Sequence, residues 1–157
     1  MPQILPIPYH PQIADGYCLA ACAQMALHYL GIQREQAKLA QQLGVRPDIG
    51  APASGIKRLA TDAVSITYDA GEWETIQAQL AQKTPVIAMV QAGELPHWHG
   101  ETFQHAVVII ACSETQVWLL DPATSSDPII VSIDEFMLAW SEMDYQYAVV
   151  SVIGKEG

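Results

Sequence analysis

The chain has 157 residues, seven of them basic and seventeen acidic, which gives a formal net charge of −10 at pH 7. A negative field of this size repels phosphate backbones and anionic lipid, so nucleic acid and membrane surfaces are disfavoured as partners. The length favours a single domain over residues 1–157, large enough to bury about two thirds of the surface of the unfolded chain.

The N-terminal segment is proline-rich and precedes two predicted helices. A turn at residues 15–16 leads into an apolar run of small side chains that stops at Gly31. This pattern predicts a helix with Cys18 in its first turn and Gly31 as its C-terminal cap. Residues 33–43 repeat the helical spacing and also stop at a glycine, which predicts a second short helix.

The middle of the chain predicts a loop, two more helices and a strand. Residues 45–52 hold two prolines and a glycine, which is typical of a loop. Ser54 is then predicted to cap a helix, and residues 64–68 alternate as a brief strand. Residues 72–82 place apolar side chains at helical spacing with acids in the first turn, which favours a helix there.

The C-terminal half changes to strand patterning. Five short β-branched or apolar runs bounded by turn residues predict the strands of a mostly antiparallel sheet: residues 85–91, 105–112, 117–121, 128–133 and 147–153. Asp134 is predicted to cap a helix over residues 135–140 that packs on this sheet. Helices first and strands afterwards is the order of an α+β domain.

Cysteine usage and the first residues indicate the compartment. Three cysteines are an odd number, which favours a reducing environment over a disulfide-built secreted module. The prolines of the first eleven residues, with no Lys or Arg among them, exclude a helical signal segment. The longest uninterrupted apolar run, residues 106–112, is far shorter than the ~20 residues that a membrane crossing needs. We therefore expect a soluble, cytoplasmic protein.

Cys18 is the candidate nucleophile. In the first turn of a helix, unpaired backbone N–H groups and the helix dipole favour a thiolate over a thiol. Considered alone, a cysteine beside Ala20 and Ala21 is more commonly a small buried core residue. Cys22 lies one helical turn further on and is assigned to the core, because the chain offers too few neighbouring ligands for a zinc or iron–sulfur site.

Three other side chains supply what cysteine catalysis needs besides the thiol. His105 heads a buried strand, from which its ring can reach a cleft and shuttle a proton, and Asp121 ends a later strand as a group that can orient an imidazole. The Gln12 amide can donate to an oxyanion together with the backbone N–H of Cys18. Each residue alone also fits an ordinary structural role, such as an Asp-Pro turn for Asp121. The prediction of a catalytic site therefore depends on their conjunction.

A histidine-rich segment lies between two predicted strands. Residues 93–102 are predicted to form a loop that overhangs the cleft, with Trp98 as a substrate-contacting or gating residue. On an extended chain, His97 and His99 would face one side and hold a metal ion with a Cys or carboxylate, which is the less favoured interpretation. We expect neither a metal nor a cofactor.

Several stretches, in this order, carry a family resemblance: PQIADGYC, ACAQMALHYLG, SGIKRLA, TPVIAMV, HAVVIIA, WLLDPA and DEFMLAW. Together they resemble the bacteriocin-processing peptidases, the double-glycine leader peptidases of the papain-like cysteine peptidase group, and their stand-alone relatives. The resemblance implies a papain-like α+β fold and a peptide or protein substrate. It also implies Cys18 as nucleophile, His105 as base and acid, and Asp121 as the orienting carboxylate. Gln12 would be the oxyanion donor.

Leu19 departs from this family, in which glycine usually follows the nucleophile. Glycine leaves room for the substrate backbone beside the thiol, whereas Leu19 either points into the domain or crowds the cleft. Two functions stay open: a cysteine peptidase or close acyl-transfer relative, and a catalytically inactive papain-like domain that binds a peptide or protein partner. The resemblance does not extend to the membrane spans and ATP-binding domain of transporter-linked members, so cleavage during export is not implied. The oligomeric state is also open.

Overall fold

Four helices and six strands make up the part of the chain that the computed structural model describes, residues 2–46 and 49–153. The helices are α1 (Cys18–Tyr29), α2 (Gln36–Leu43), α3 (Trp73–Ala81) and α4 (Ile133–Ser141). The strands are β1 (Val64–Ala70), β2 (Val86–Gln91), β3 (Gln104–Cys112), β4 (Gln116–Leu120), β5 (Ile129–Ser132) and β6 (Gln146–Val152). The predicted loop at residues 45–52 falls partly on Pro47 and Asp48, which lie outside the described residues. No helix in the described ranges is long and apolar enough to cross a bilayer.

The strands form one antiparallel sheet in the order β1-β6-β2-β3-β4-β5. This confirms the predicted α+β class with its antiparallel sheet. The brief strand predicted at residues 64–68 continues to Ala70 and forms one edge of the sheet, paired with β6 along its whole length. That pairing joins segments more than seventy residues apart in the sequence; Val64, for example, lies opposite Val152.

Helices cover both faces of the sheet because successive strand residues point to opposite sides. In β3, Ala106, Val108 and Ile110 pack with side chains of α1 and α2 in one core. Val107 and Ile109 pack with side chains of α3 and α4 in a second core. Burial on both faces explains why the sequence of β3 is an unbroken apolar run instead of an alternating one.

The turn before α1 sets the position of the helix start. Gly16 has a φ of 83°, and a Cβ at this residue would lie 2.9 Å from the backbone nitrogen of Gly50, so only glycine fits without strain. The turn brings Cys18 to the first position of α1, as predicted. At the other end of the helix, Gly31 follows the C-cap Leu30 with a φ of 86°. The predicted stop at Gly31 is thus correct.

Two predicted N-caps are wrong. Ser54 lies inside a 3-10 turn, Ala53–Leu59, and makes no capping bond. Asp134 lies in the first turn of α4, whose N-cap is Ser132. The Ser132 hydroxyl accepts the N–H of Glu135 at 3.1 Å, and the Glu135 carboxylate accepts the N–H of Ser132 at 2.9 Å. This reciprocal pair is a capping box, and it satisfies two donors where an Asp134 cap would satisfy one.

Ser132→Ala tests this assignment. Without the hydroxyl, the N–H of Glu135 loses its partner, so we expect the free energy of unfolding to fall by about 1 kcal/mol and the Tm by about 2–4 °C. Asp134→Ala should cost only about 0.3–1 kcal/mol, through the helix dipole. Thermal and urea unfolding followed by circular dichroism measure both, with exposed Ser125→Ala as the control. A larger loss in Asp134→Ala than in Ser132→Ala would contradict the assignment.

Candidate active site

A cleft of about 970 Å³ lies where the turn before α1 meets the start of β3 and the residues after β4. Five of the predicted site residues line it: Gln12, Cys18, Leu19, Trp98 and His105. The sixth, Asp121, has no exposed surface and lies behind the His105 ring, to which it is hydrogen-bonded. The structure therefore brings together all six residues that were selected from separate parts of the sequence.

Cys18 and His105 both line this cleft, and each side chain shifts the pKa of the other. His105 is the second residue of β3, and its Nε2 lies 2.7 Å from Oδ1 of Asp121. Nδ1 is therefore the ring nitrogen left for the Cys18 sulfur. The backbone N–H groups of Leu19 and Ala106 also lower the pKa of this thiol. The thiol thus sits among donors, as a thiolate requires.

The pKa values of the pair move in opposite directions. Burial alone raises the pKa of the Cys18 thiol, but the hydrogen bond and charge of His105, with the two backbone N–H groups, outweigh burial and lower it. Burial alone lowers the pKa of His105, but its hydrogen bonds to Asp121 and Cys18 and their negative charges raise it to about 9. Both shifts favour a thiolate beside an imidazolium at neutral pH.

Asp121 is held by four N–H donors. Its Oδ1 accepts from Nε2 of His105 and, at 2.9 Å, from the backbone N–H of Ala123. Its Oδ2 accepts from Nε2 of His97 at 2.8 Å and from the indole N–H of Trp98 at 2.9 Å. Burial raises the pKa of this carboxyl, but the bonds from the two histidines, the charge of His105 and the Ala123 N–H hold that pKa well below its usual range. Asp121 is therefore an anion at neutral pH.

Gln12 belongs to the extended segment before α1. Its backbone N–H donates to the carbonyl of Pro122 at 2.8 Å, which ties this segment to the chain just after Asp121. Its side-chain amide makes one long bond, 3.4 Å from Nε2 to the carbonyl of Ala14. The amide borders the cleft beside Cys18 and is only weakly held, so it is free to donate to a bound group.

Leu19 packs into the protein interior. Its residue surface is only 4% exposed, and its side chain belongs to the core that α1 shares with the sheet. The residue still borders the cleft at one side. Of the two positions considered from the sequence, the interior one is observed.

Trp98 and Phe103 enclose the His105 ring from the connection between β2 and β3. Trp98 packs edge-on against Phe103 and His105, with ring centroids 4.7 Å and 5.4 Å apart. Phe103 and His105 are 5.3 Å apart. Both aromatic residues also line the cleft, so the predicted position of Trp98 beside a substrate fits its surroundings.

The extended conformation considered for His97 and His99 is wrong. Pro96–Trp98 form a 3-10 turn, and His99 follows with a φ of 51°, because the proline and the glycine at position 100 favour a turn here. His97 bonds to Asp121, whereas His99 is exposed. In the described part of the chain, no group of three or more His, Cys, Asp or Glu residues is arranged to hold a metal ion.

Three long-range contacts of Asp121 could not be predicted from the sequence. The bonds from His97 and Trp98 span 24 and 23 residues, and the Tyr9 hydroxyl donates to the Asp121 carbonyl at 2.9 Å across 112 residues. No local pattern signals any of them. Each depends on the way the strands and the N-terminal segment pack together.

Selective alkylation tests the electrostatics of the three free thiols. The pKa of Cys18 is lowered, whereas burial raises the pKa of Cys22 and Cys112. We expect iodoacetamide at pH 7 to label Cys18 at least 10-fold faster than Cys112, since the thiolate is the reacting form. Peptide mapping by mass spectrometry after timed quenching measures the rates. Equal or faster labelling of Cys112 would contradict the site.

Known proteins are similar to this chain in family and in fold. The model of the Peptidase_C39 like family matches residues 4–148. A protein described as a C39-like peptidase from Bacillus anthracis is 20% identical, with a TM-score of 0.79 over 100% of both chains. A double glycine motif protease from the AMS/PCAT transporter, solved with the leader peptide, is 16% identical, with a TM-score of 0.69 over 95% of this chain and 96% of that one.

The peptidase domain of Streptococcus ComA, a bi-functional ABC transporter involved in a quorum sensing pathway, is 20% identical, with a TM-score of 0.68 over 91% of this chain and 95% of that one. These likenesses establish the fold as that of the C39 papain-like peptidases. No curated protein matches the sequence. Because the family model covers nearly the whole chain, the protein belongs to the Peptidase_C39 like family, and its fold is that of the papain-like peptidases.

Proposed function

We propose that this protein is a cysteine peptidase that hydrolyses a peptide bond through Cys18, His105 and Asp121, with Gln12 as the oxyanion donor. The observation that carries the proposal is the buried Asp121 carboxylate, bonded to the ring that pairs with the Cys18 thiol. Family membership supports a peptidase in general. A peptide substrate is further supported by the related double glycine motif protease, which was solved with its leader peptide.

The proposed reaction begins with attack of the Cys18 thiolate on the peptide carbonyl carbon. The carbonyl π bond opens, and the resulting oxyanion accepts the Gln12 amide and the backbone N–H of Cys18. His105 then gives its Nδ1 proton to the amine as the C–N bond breaks, which leaves a thioester on Cys18. Water, deprotonated by His105, attacks the thioester and releases the acid and the thiolate. This sequence needs no cofactor.

Asp121 serves the reaction through His105. Its carboxylate holds Nε2–H, so that Nδ1 faces the sulfur, and its negative charge stabilises the imidazolium between the steps. A neutral or basic peptide fits the cleft best, because Asp15 and Glu101 are among its lining residues and the whole chain is acidic. The cytoplasmic location and the single domain over residues 1–157 stay predictions.

A catalytically inactive domain that binds a peptide or protein is the alternative function. Its main support was Leu19 in place of glycine, and Leu19 packs in the interior instead of filling the cleft. Peptide binding alone also does not require the bond from His105 to the buried Asp121 or the lowered pKa of Cys18. Purified protein that binds peptides but neither cleaves them nor forms a thioester would support the alternative.

Cys18→Ala should abolish cleavage of a proteome-derived peptide library, because no other group in the cleft can form the thioester. Cys112→Ala, which changes a half-buried free thiol away from the cleft, should keep wild-type activity and serves as the matched control. Mass spectrometry of new peptide termini measures both. Residual cleavage by Cys18→Ala at the wild-type rate would contradict the assignment of the nucleophile.

The pH profile of kcat/KM is expected to be bell-shaped. Activity should rise as Cys18 is deprotonated at its lowered pKa, and it should fall through about pH 9 as the His105 imidazolium loses the proton that the leaving amine needs. Initial rates on one cleaved peptide from pH 4 to pH 10.5 measure the profile. An alkaline limb near pH 6.5, the ordinary histidine value, would exclude the proposed ion pair.

Gln12→Ala tests the oxyanion donor. Loss of one such donor typically lowers kcat by about 100- to 1000-fold, and KM should change little because the bond strengthens mainly in the transition state. Gln12→Glu removes the donor at nearly constant size and should be equally slow. A loss confined to KM, with kcat unchanged, would assign Gln12 to substrate binding instead.

A further inference from the structure

We propose that His97 is a positioning residue for Asp121 and, through Asp121, for His105. This inference rests on the proposed function, since it assigns His97 a part in the same site. The contact that carries it is the bond from His97 Nε2 to Oδ2 of Asp121, at 2.8 Å. The resulting arrangement is one fully buried carboxylate shared by two histidines, one on each oxygen.

The two oxygens of Asp121 have separate tasks. Oδ1 faces His105 and the backbone N–H of Ala123, whereas Oδ2 faces His97 and Trp98. With donors on both oxygens, the carboxylate cannot turn about its Cβ–Cγ bond without breaking bonds on both sides. The pair on Oδ2 therefore fixes the plane in which Oδ1 meets the His105 ring.

The hydrogen-bond pattern defines how His97 acts. An anionic carboxylate only accepts, so Nε2 of His97 must carry a hydrogen. Nδ1 of the same ring is buried and has no partner among the described residues. A second hydrogen there would be a buried donor without an acceptor, which is costly. The geometry fits a neutral imidazole that donates from Nε2, while the positive charge beside Asp121 resides on His105.

The 3-10 turn Pro96–Trp98 explains how two adjacent residues reach the same oxygen. The turn sets the His97 and Trp98 rings side by side, with centroids 5.8 Å apart, and both N–H groups meet Oδ2. The His97 side chain is only 16% exposed, so it also shields the carboxylate from water. Among the described residues that line the cleft, Trp98 is present and His97 is not. His97 therefore does not border the cleft, so a role in positioning Asp121 can be tested separately from substrate binding.

The test replaces His97 in three ways. His97→Ala and His97→Leu both remove the donor, with side chains of different size. If one variant misfolds, the activity of the other can still be measured. His97→Gln keeps an N–H group able to reach Oδ2. His99→Gln is the matched control, because this neighbouring histidine is exposed and the described hydrogen bond to Asp121 comes from His97. Thermal unfolding of each variant reports stability separately from activity.

We expect His97→Ala and His97→Leu to lower kcat by about 10- to 100-fold, the cost of a slightly misplaced reacting group, with KM within about 2-fold of wild type. In the pH–rate profile of Cys18 alkylation, the acid limb should move to higher pH. A loosely held Asp121 stabilises the His105 imidazolium less, and the imidazolium then stabilises the Cys18 thiolate less. His97→Gln should restore most of the rate, and His99→Gln should match wild type in every measurement.

Two results would overturn the inference. One is an unchanged kcat and alkylation profile in both His97→Ala and His97→Leu. The other is a lower Tm with an unchanged pH profile, which would assign His97 a purely structural role. In either case wild-type cleavage would leave the proposed function standing. If wild type itself cleaves nothing, the proposed function fails. The pH dependence of Cys18 alkylation would still show whether His97 positions the Asp121–His105 pair.

Discussion

The buried charge of Asp121 is the constraint on which the rest of this site depends. A carboxylate with no exposed surface is tolerable only if its oxygens are fully hydrogen-bonded, and leaving such a charge unpaired costs roughly 3–5 kcal/mol. Its donors come from three places: the start of β3, the connection between β2 and β3, and the turn after β4. The same bonds that stabilise the anion therefore lock three segments around the cleft.

Asp121 influences the Cys18 thiol through the His105 ring. Asp121 holds the His105 ring and raises its pKa, and the imidazolium in turn lowers the pKa of Cys18. The fold supplies the remaining geometry. The Gly16 turn starts α1 at Cys18, the apolar face of α1 packs on β3, and His105 lies at the beginning of that strand. A helix start and a strand start thus meet at one thiol, and Leu19 anchors the helix start in the core.

Features encoded by local pattern were predictable from the sequence. The apolar run of β3, the helix that begins at Cys18 and the glycine stop at Gly31 each follow from a few neighbouring residues. The cap of α4 is also encoded locally, in the spacing of Ser132 and Glu135, although Asp134 beside them is also a residue type that favours N-caps. A capping box is recognised only when its two positions are considered together, because a single acidic residue near a helix start can also be an N-cap.

Features that depend on tertiary packing were not predictable. The edge position of β1 results from pairing with the last strand, and the bond from His97 to Asp121 joins two loops 24 residues apart. Leu19 shows the same limit, because the sequence allowed both a cleft and an interior position and only core packing selects one. Chemistry could be assigned to Cys18, His105 and Asp121 as types of residue, but the partners that hold them required the fold.

The protonation state of His105 is the most direct test of the thiolate–imidazolium pair. Nitrogen-15 NMR of the histidine rings, recorded across pH on wild type and Cys18→Ala, reports whether each ring nitrogen carries a hydrogen. We expect His105 to be doubly protonated at pH 7 in wild type and to titrate near pH 9, and we expect loss of the thiolate to lower this pKa. A His105 ring that is neutral at pH 7 and titrates at the same pH in both proteins would contradict the thiolate–imidazolium pair.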